Sequence, residues 1–264
     1  MDRKGSAATK VPQIAVLFWV VKVLTTGMGE TTSDYLAHGI GPVVAVPIGG
    51  MALVGALLWQ LRVRRYMAWP YWTAVAMVSV FGTMAADVLH VGLGIPYLVS
   101  TIAFTVVLAV VFRSWYASER TLSIHSIRTR RRELFYWATV LATFALGTAA
   151  GDMTATTLHL GYFWSGVLFA GLIAVPAVAH WRFGLNAVVA FWFAYIVTRP
   201  LGASFADWLA VPHSRGGLDL GYGVVSLALA ALIVVFVAYL AITRSDVEPA
   251  TDDDRTKKWQ GSRP

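Results

Sequence analysis

Four aspartates recur in this chain at one fixed place within a repeated motif, and a further carboxylate accompanies the first of them. Each aspartate follows a glycine by five residues, and each of these glycines follows a tryptophan by ten. The set comprises Asp34, Asp87, Asp152 and Asp207, together with Glu30. Carboxylates held among apolar residues either stay protonated or bind a cation. The pattern therefore predicts the handling of protons or cations.

The repeated motif occurs four times without a gap, which indicates an internal repeat. Its copies are FWVVKVLTTGMGETTSD from residue 18, YWTAVAMVSVFGTMAAD from 71, YWATVLATFALGTAAGD from 136 and FWFAYIVTRPLGASFAD from 191. Amphipathic tryptophan is favoured at membrane interfaces, so we interpret the four tryptophans as membrane anchors. Small residues drive helix packing in membranes, so we interpret the four glycines as helix contacts rather than ligand contacts.

The composition is that of a polytopic membrane protein. Hydrophobic residues make up 57% of the chain and charged residues 13%, whereas soluble domains have about 45–50% and about 25%. The absence of cysteine excludes disulfides and Cys-ligated metal centres. The net charge is +7, and the basic residues lie between and beyond the apolar spans. They form no basic patch with interleaved aromatic residues for base stacking, so we expect no nucleic-acid partner.

Eight stretches reach the length of about 20 apolar residues that a membrane helix needs. The predicted fold is all-α, with eight transmembrane helices arranged as four parallel helical-hairpin repeats. The predicted spans are residues 12–37, 42–62, 69–91, 95–115, 133–158, 162–182, 185–209 and 221–243. The predicted organisation is an N-terminus 1–11, repeats 12–66 and 67–115, a linker 116–132, repeats 133–183 and 184–244, and a polar, disordered tail 245–264.

Among the connecting segments, lysine and arginine lie at the termini and between the repeats, with Arg215 as the exception in a connection inside a hairpin. The positive-inside rule then places both termini and the linker in the cytoplasm. Fifteen residues of helix separate each tryptophan from its aspartate, or about 22 Å. We therefore expect the four aspartates at one common depth near the outer side of the lipid bilayer.

Polar residues at helical spacing accompany the aspartates on the motif helices. Because polar stripes face lipid only at a cost, we expect the stripes to face one another along one axis. Arg199 is expected to pair with Glu30 on this axis, whereas Lys22 is expected to extend to the cytoplasmic interface. We expect Glu30, Asp34, Arg199 and Asp207 to form the centre of the site. The secondary candidates are Thr26, Thr83, Thr148, His90 and His159.

Histidines follow the four aspartates at uneven offsets, at positions 38, 90, 159 and 213. A metal site built by repetition would keep a fixed offset, so ordinary interfacial histidines are favoured over metal ligation. The chain has no HExxH, GxSxG or dinucleotide-binding motif. We therefore expect no enzyme activity and no cofactor.

The runs KVPQIAVLFWVVKVLTTGMGETTSDYL and TRPLGASFADWL resemble bacterial membrane-anchored proteins built from four tandem copies of a two-helix repeat of unknown function. The resemblance covers about residues 10 to 243. It implies a multi-pass protein of the bacterial inner membrane, and it carries over no catalytic or binding residue.

Two functions fit these observations. The first is a transporter of a small cation or divalent metal, with proton coupling as one form, which uses the carboxylates of the motif helices. The alternative is a non-transporting membrane scaffold or partner subunit, in which the same polar residues are structural. The partners expected are the lipid bilayer and a small cation, and the sequence leaves the oligomeric state open.

Overall fold

A computed structural model describes residues 9–247, and these residues form helices and connecting turns without a β-strand. The motif helices are the odd-numbered ones and the flanking helices the even-numbered ones. In chain order they are α1 Val16–Ile40, α2 Pro42–Arg62, α3 Ala68–Asp87, α4 Tyr97–Glu119, α5 Arg130–Asp152, α6 Gly161–Phe183, α7 Ala187–Ala210 and α8 Tyr222–Thr243. Short π-helical turns, Val88–Gly92 and Met153–Thr157, follow α3 and α5 directly.

The eight predicted spans correspond one to one with these helices. The bounds of α2 agree to the residue, and the other helices differ from their predicted spans by one to six residues at one or both ends. The predicted N-terminus and the predicted disordered tail lie mostly outside the described range, which includes only residues 9–11 and 245–247 of them.

The four motif helices form a closed ring in which α1 and α5 each pack against both α3 and α7. Every flanking helix packs mainly on the motif helix of the next repeat: α2 on α3, α4 on α5, α6 on α7, and α8 back on α1. The hairpins expected from the sequence are therefore not the main packing units. Each repeat instead joins its successor, and α8 closes the circle.

Aromatic residues at the start of the motif helices repeat one contact four times around the ring. The first aromatic residue of each copy lies against the tryptophan of the next copy. The centroid distances are 5.7 Å for Phe18–Trp72, 5.7 Å for Tyr71–Trp137, 6.2 Å for Tyr136–Trp192 and 5.7 Å for Phe191–Trp19. We call these eight residues the aromatic ring. Equivalent contacts at one end show that the motif helices are parallel and related by a pseudo-fourfold axis.

The interpretation of the tryptophans as membrane anchors is wrong for three of the four. Trp72, Trp137 and Trp192 are only 2–4% exposed, and the indole of Trp192 donates to the Leu122 carbonyl across 2.9 Å. An anchor would present its indole to lipid headgroups. These side chains instead fill the centre of the bundle.

The motif glycines permit a close approach that repeats around the same axis. A Cβ on Gly202 would lie 1.9 Å from the Thr26 hydroxyl oxygen, and one on Gly147 would lie 2.4 Å from the Arg199 side chain. The corresponding overlaps are with Ser79 at Gly29 and with Phe144 at Gly82. In every case the residue met is the one three positions before the glycine of the next repeat. The interpretation as helix contacts is confirmed.

The flanking helices present a continuous apolar surface outward. Exposed residues there include Val43 at 85%, Leu227 at 73% and Ile242 at 82%. Within the described range, seven helices are long and apolar enough to cross a membrane; α1, which carries Lys22 and two carboxylates, is not among them. Large exposed apolar surfaces mark contacts with lipid or other proteins. The helices thus indicate a multi-pass membrane protein.

Residues after α8 fold back against the aromatic end of the bundle. The Tyr66 hydroxyl donates to the carboxylate of Asp246, and the Gln13 amide donates to the Asp246 carbonyl at 2.9 Å. Nearby, the Lys10 ammonium contacts the Glu133 carboxylate at 2.5 Å, and both side chains are buried. These contacts join the segment before α1, the start of α5 and the end of α8.

Candidate functional site

All five candidate carboxylates line one cavity of about 500 Å³. They come from all four motif helices: two from α1 and one each from α3, α5 and α7. Their equal offset from the packed glycines places the aspartates at one level, at the opposite end of the motif helices from the aromatic ring. The five are Glu30, Asp34, Asp87, Asp152 and Asp207.

Arg199 lies on the pseudo-fourfold axis and is completely buried. Its guanidinium donates to the Glu30 carboxylate and to the hydroxyls of Thr83 and Thr148, the latter at 2.7 Å. It also donates to the Thr26 carbonyl at 3.2 Å. Three of these four residues directly follow a motif glycine, so they surround the axis at one level. The expected pairing of Arg199 with Glu30 is therefore present.

Lys22 lies deeper along the axis, toward the aromatic ring. Its ammonium donates to the Thr198 hydroxyl at 3.3 Å and lies 4.2 Å from the ring centroids of both Phe144 and Tyr195. The side chain is 0% exposed, so the expectation that it extends to the interface is wrong. The rings of α5 and α7 cover the charge and stabilise it by cation–π contact.

The cavity reaches the surface at the aspartate end. His38, Thr156 and Arg215 line it and are exposed. At the other end, Arg199, Lys22 and the aromatic ring fill the axis. The described conformation is therefore open at the aspartate end and closed at the aromatic end.

Three of the carboxylates lie close enough to share one ligand. One oxygen from each of Glu30, Asp152 and Asp207 lies within 4.8 Å of the other two. Asp207 is 6% exposed, and its Oδ1 has no hydrogen-bond partner among the described residues. Asp87 is engaged differently, since its Oδ2 lies 3.5 Å from the Ser33 hydroxyl.

The secondary candidates divide into two groups. Thr26, Thr83 and Thr148 all contact Arg199, as described above. His90 lies beside the cavity, not in it: its Nδ1 is 3.1 Å from the Ser100 hydroxyl, and its ring packs against Tyr97. His159 is exposed in the turn before α6, with a φ of +55°. The structure thus brings the threonines to the axis but neither histidine to the cavity.

Residues of the cavity mouth were not predicted from the sequence. Arg215 donates to the hydroxyls of Tyr162 at 2.5 Å and Tyr222 at 3.3 Å, and these tyrosines and Tyr97 line the cavity. Each tyrosine stands at the start of a flanking helix. The signal available in the sequence was a tyrosine ten residues after both Asp87 and Asp152.

Fold and site together define a class: an all-α, multi-pass protein of four rotationally related repeats around a carboxylate-lined cavity. The family model described as Repeat of Unknown Function (DUF347) matches the chain four times, at residues 17–66, 70–121, 135–185 and 190–246. The chain belongs to this family. Neither a curated protein nor a solved structure matches the chain.

Proposed function

We propose that the protein is a membrane transporter for a small cation, with the carboxylates of the motif helices as its binding groups. The observation that carries the proposal is the convergence of five carboxylates from four helices on one cavity. A site assembled from every repeat is difficult to attribute to the packing of any one helix pair. The electrostatics of the cavity then indicate the sign of the ligand's charge.

The charge balance of the cavity favours a cation. Arg199 pairs with Glu30, and Arg215 donates to two tyrosine hydroxyls. No lysine or arginine of residues 9–247 forms an ion pair with the four motif aspartates. Ionised side chains inside a membrane cost at least about 2.5–3.5 kcal/mol each, which a bound cation or proton offsets.

The basic residues between repeats support an orientation for this transporter. In this orientation both termini and the aromatic ring face the cytoplasm, and the cavity mouth faces the outside. The resemblance described above favours the bacterial inner membrane as its location.

Transport needs a second conformation, because Arg199, Lys22 and the aromatic ring close the axis in the described one. The π-helical turns directly after Asp87 and Asp152 support such a rearrangement, since turns of this kind occur frequently at functional sites. A carrier that opens alternately fits this geometry better than a continuous pore does.

The test uses the absence of cysteine from the chain, because a single introduced cysteine is then the only residue that a thiol reagent can label. Ala37 lines the cavity and is partly exposed, so Ala37→Cys is placed in sealed proteoliposomes and exposed to a membrane-impermeant thiol reagent. Labelling from the aspartate end is expected at rest, and labelling from the aromatic end as well during cation-driven turnover. The exposed Ser214 and Ser245, replaced singly by cysteine, report the two sides.

A cysteine at position 37 that never reacts from the aromatic end, under any cation gradient, would contradict transport. It would favour the second candidate, a non-transporting scaffold. The observation that favours a scaffold is the hydrogen bonding of Arg199, which links all four motif helices through buried contacts. In a scaffold, substitutions on the axis would lower stability alone.

A further inference from the structure

We propose that Glu30, Asp152 and Asp207 form a binding site for a hard divalent cation of the Mg²⁺, Mn²⁺ or Ca²⁺ class. This inference deepens the proposed function. Only the role of the ion as a transported substrate rests on that function. The binding site itself can be tested without transport.

The spacing of the three carboxylates suits an ion of this size. The three carboxylate oxygens lie within 4.8 Å of one another, so a point between them is at most about 2.8 Å from each. Oxygen ligands lie about 2.3–2.6 Å from Ca²⁺ and about 2.0–2.1 Å from Mg²⁺. Each oxygen therefore needs to move inward by at most about 0.5 Å to bind Ca²⁺ and by at most about 0.8 Å to bind Mg²⁺.

The local charge matches a divalent ion. The three carboxylates contribute three negative charges, and Arg199, paired with Glu30, contributes one positive charge. Two formal negative charges remain. The count is the same for the whole cavity, because Asp34 and Asp87 are matched in number by Arg215 at the mouth and Lys22 on the axis. One divalent cation neutralises them, whereas a monovalent cation leaves a buried charge uncompensated.

An unsatisfied atom points to the ligand independently of the charge count. Asp207 lines the cavity and is only 6% exposed, yet its Oδ1 accepts no hydrogen bond within residues 9–247. A buried acceptor without a partner is costly, and exceptions in native proteins call for an explanation. A metal ion coordinated by this oxygen supplies the missing partner.

The donor set selects among metals. The chain has no cysteine, and His38, the histidine that lines the cavity, is exposed near its mouth with Nδ1 2.7 Å from the Asp34 carbonyl oxygen. The inner ligands are therefore carboxylate oxygens, which suit magnesium, calcium and manganese. A cavity of about 500 Å³ has room for the waters, each about 30 Å³, that complete the coordination of such an ion.

The experiment measures Mn²⁺ binding to the purified full-length protein in detergent micelles by the electron paramagnetic resonance of free Mn²⁺. One saturable site per chain is expected, with Ca²⁺ and Mg²⁺ as competitors. Asp207→Asn and Asp152→Asn should each weaken binding at least about tenfold, because each removes a ligand charge. Asp87→Asn, which keeps all three ligands, should weaken it less than about threefold.

Asp219→Asn is the matched control, since Asp219 is exposed and lies outside the cavity; it should bind Mn²⁺ like the wild type. Retention of the wild-type elution volume and melting temperature shows that each variant is folded. If Asp207→Asn does not fold, Asp152→Asn provides the same comparison.

Two outcomes overturn the site: wild-type protein that does not bind Mn²⁺ at millimolar concentration, or an equal loss of binding in Asp87→Asn and Asp207→Asn. The latter would show diffuse attraction by the acidic cavity. Mn²⁺ binding without any cation flux would overturn the proposed function and leave the site intact. Proton flux without Mn²⁺ binding would overturn the site and leave the proposed function intact.

Discussion

The ion pair between Glu30 and Arg199 allows a double-mutant cycle on the central axis. The variants are Glu30→Gln, Arg199→Met and the combination of both. Arg199 is 0% exposed and Glu30 4% exposed, so each charge depends on the other for its compensation. The two residues come from α1 and α7, which are far apart in the chain but adjacent in the ring.

The expected magnitudes follow from burial. Removing one partner of a buried ion pair costs about 3–5 kcal/mol, because the remaining charge is left uncompensated. Arg199→Met leaves Glu30 beside the carboxylates of Asp152 and Asp207, and Glu30→Gln leaves the guanidinium with neutral acceptors only. The double variant removes both charges. We expect it to be at least as stable as either single variant, far from the sum of about 6–10 kcal/mol.

The assay is equilibrium unfolding in mixed micelles, followed by the fluorescence of the 11 tryptophans. Arg131→Met provides the control, because Arg131 is 69% exposed and lies 3.6 Å from Glu119; its effect should stay below about 1 kcal/mol. If the effects of the two single substitutions simply add in the double variant, Arg199 and Glu30 do not interact energetically, and the account of the axis is wrong.

Three further predictions concern packing and pH. Gly202→Ala should lower the melting temperature, because the added Cβ overlaps the Thr26 hydroxyl of α1. Gly171→Ala should not, because a Cβ there meets nothing within 4 Å; thermal unfolding compares the two variants. Trp72→Ala should cost about 3–5 kcal/mol as a buried aromatic residue, and Trp69→Ala, at 41% exposure, much less. The reverse order would contradict a stabilising role for the buried Trp72. Burial raises the pKa of Asp246, although the hydrogen bond that it accepts from the Tyr66 hydroxyl opposes this shift. The stabilising contribution of Asp246 is therefore complete below about pH 3.9, the pKa of an unfolded aspartate, and is lost as the pH rises through the raised pKa of the folded state. The melting temperature of Asp246→Asn should therefore decline less than that of the wild type between acidic and neutral pH, and parallel curves would contradict the assignment.

Much of the fold was predictable because its signals are local. Runs of about 20 apolar residues define the helices. The constant offset from tryptophan to aspartate also sufficed to place Asp34, Asp87, Asp152 and Asp207 at one level, since parallel helices that pack through equivalent residues keep their later residues level with one another.

The remaining features depend on which helix packs against which. A tryptophan has the same local pattern whether it faces headgroups or the next repeat, so the burial of Trp137 had no distinctive signature. Lys22 stays buried only because Phe144 and Tyr195 arrive from other repeats. The mouth residue Arg215 belongs to a loop, where no periodicity predicts a position.

Cation flux through proteoliposomes tests the central claim most directly. Wild-type protein, Asp207→Asn and Asp219→Asn are reconstituted at equal density, and the uptake of Mn²⁺, Ca²⁺, Mg²⁺ and protons is followed with entrapped indicators. We predict uptake of at least one cation by the wild type and by Asp219→Asn, and its loss in Asp207→Asn. Equal uptake in all three preparations, or none above that of protein-free vesicles for any cation, would contradict the claim that the carboxylate cavity carries a cation across the membrane.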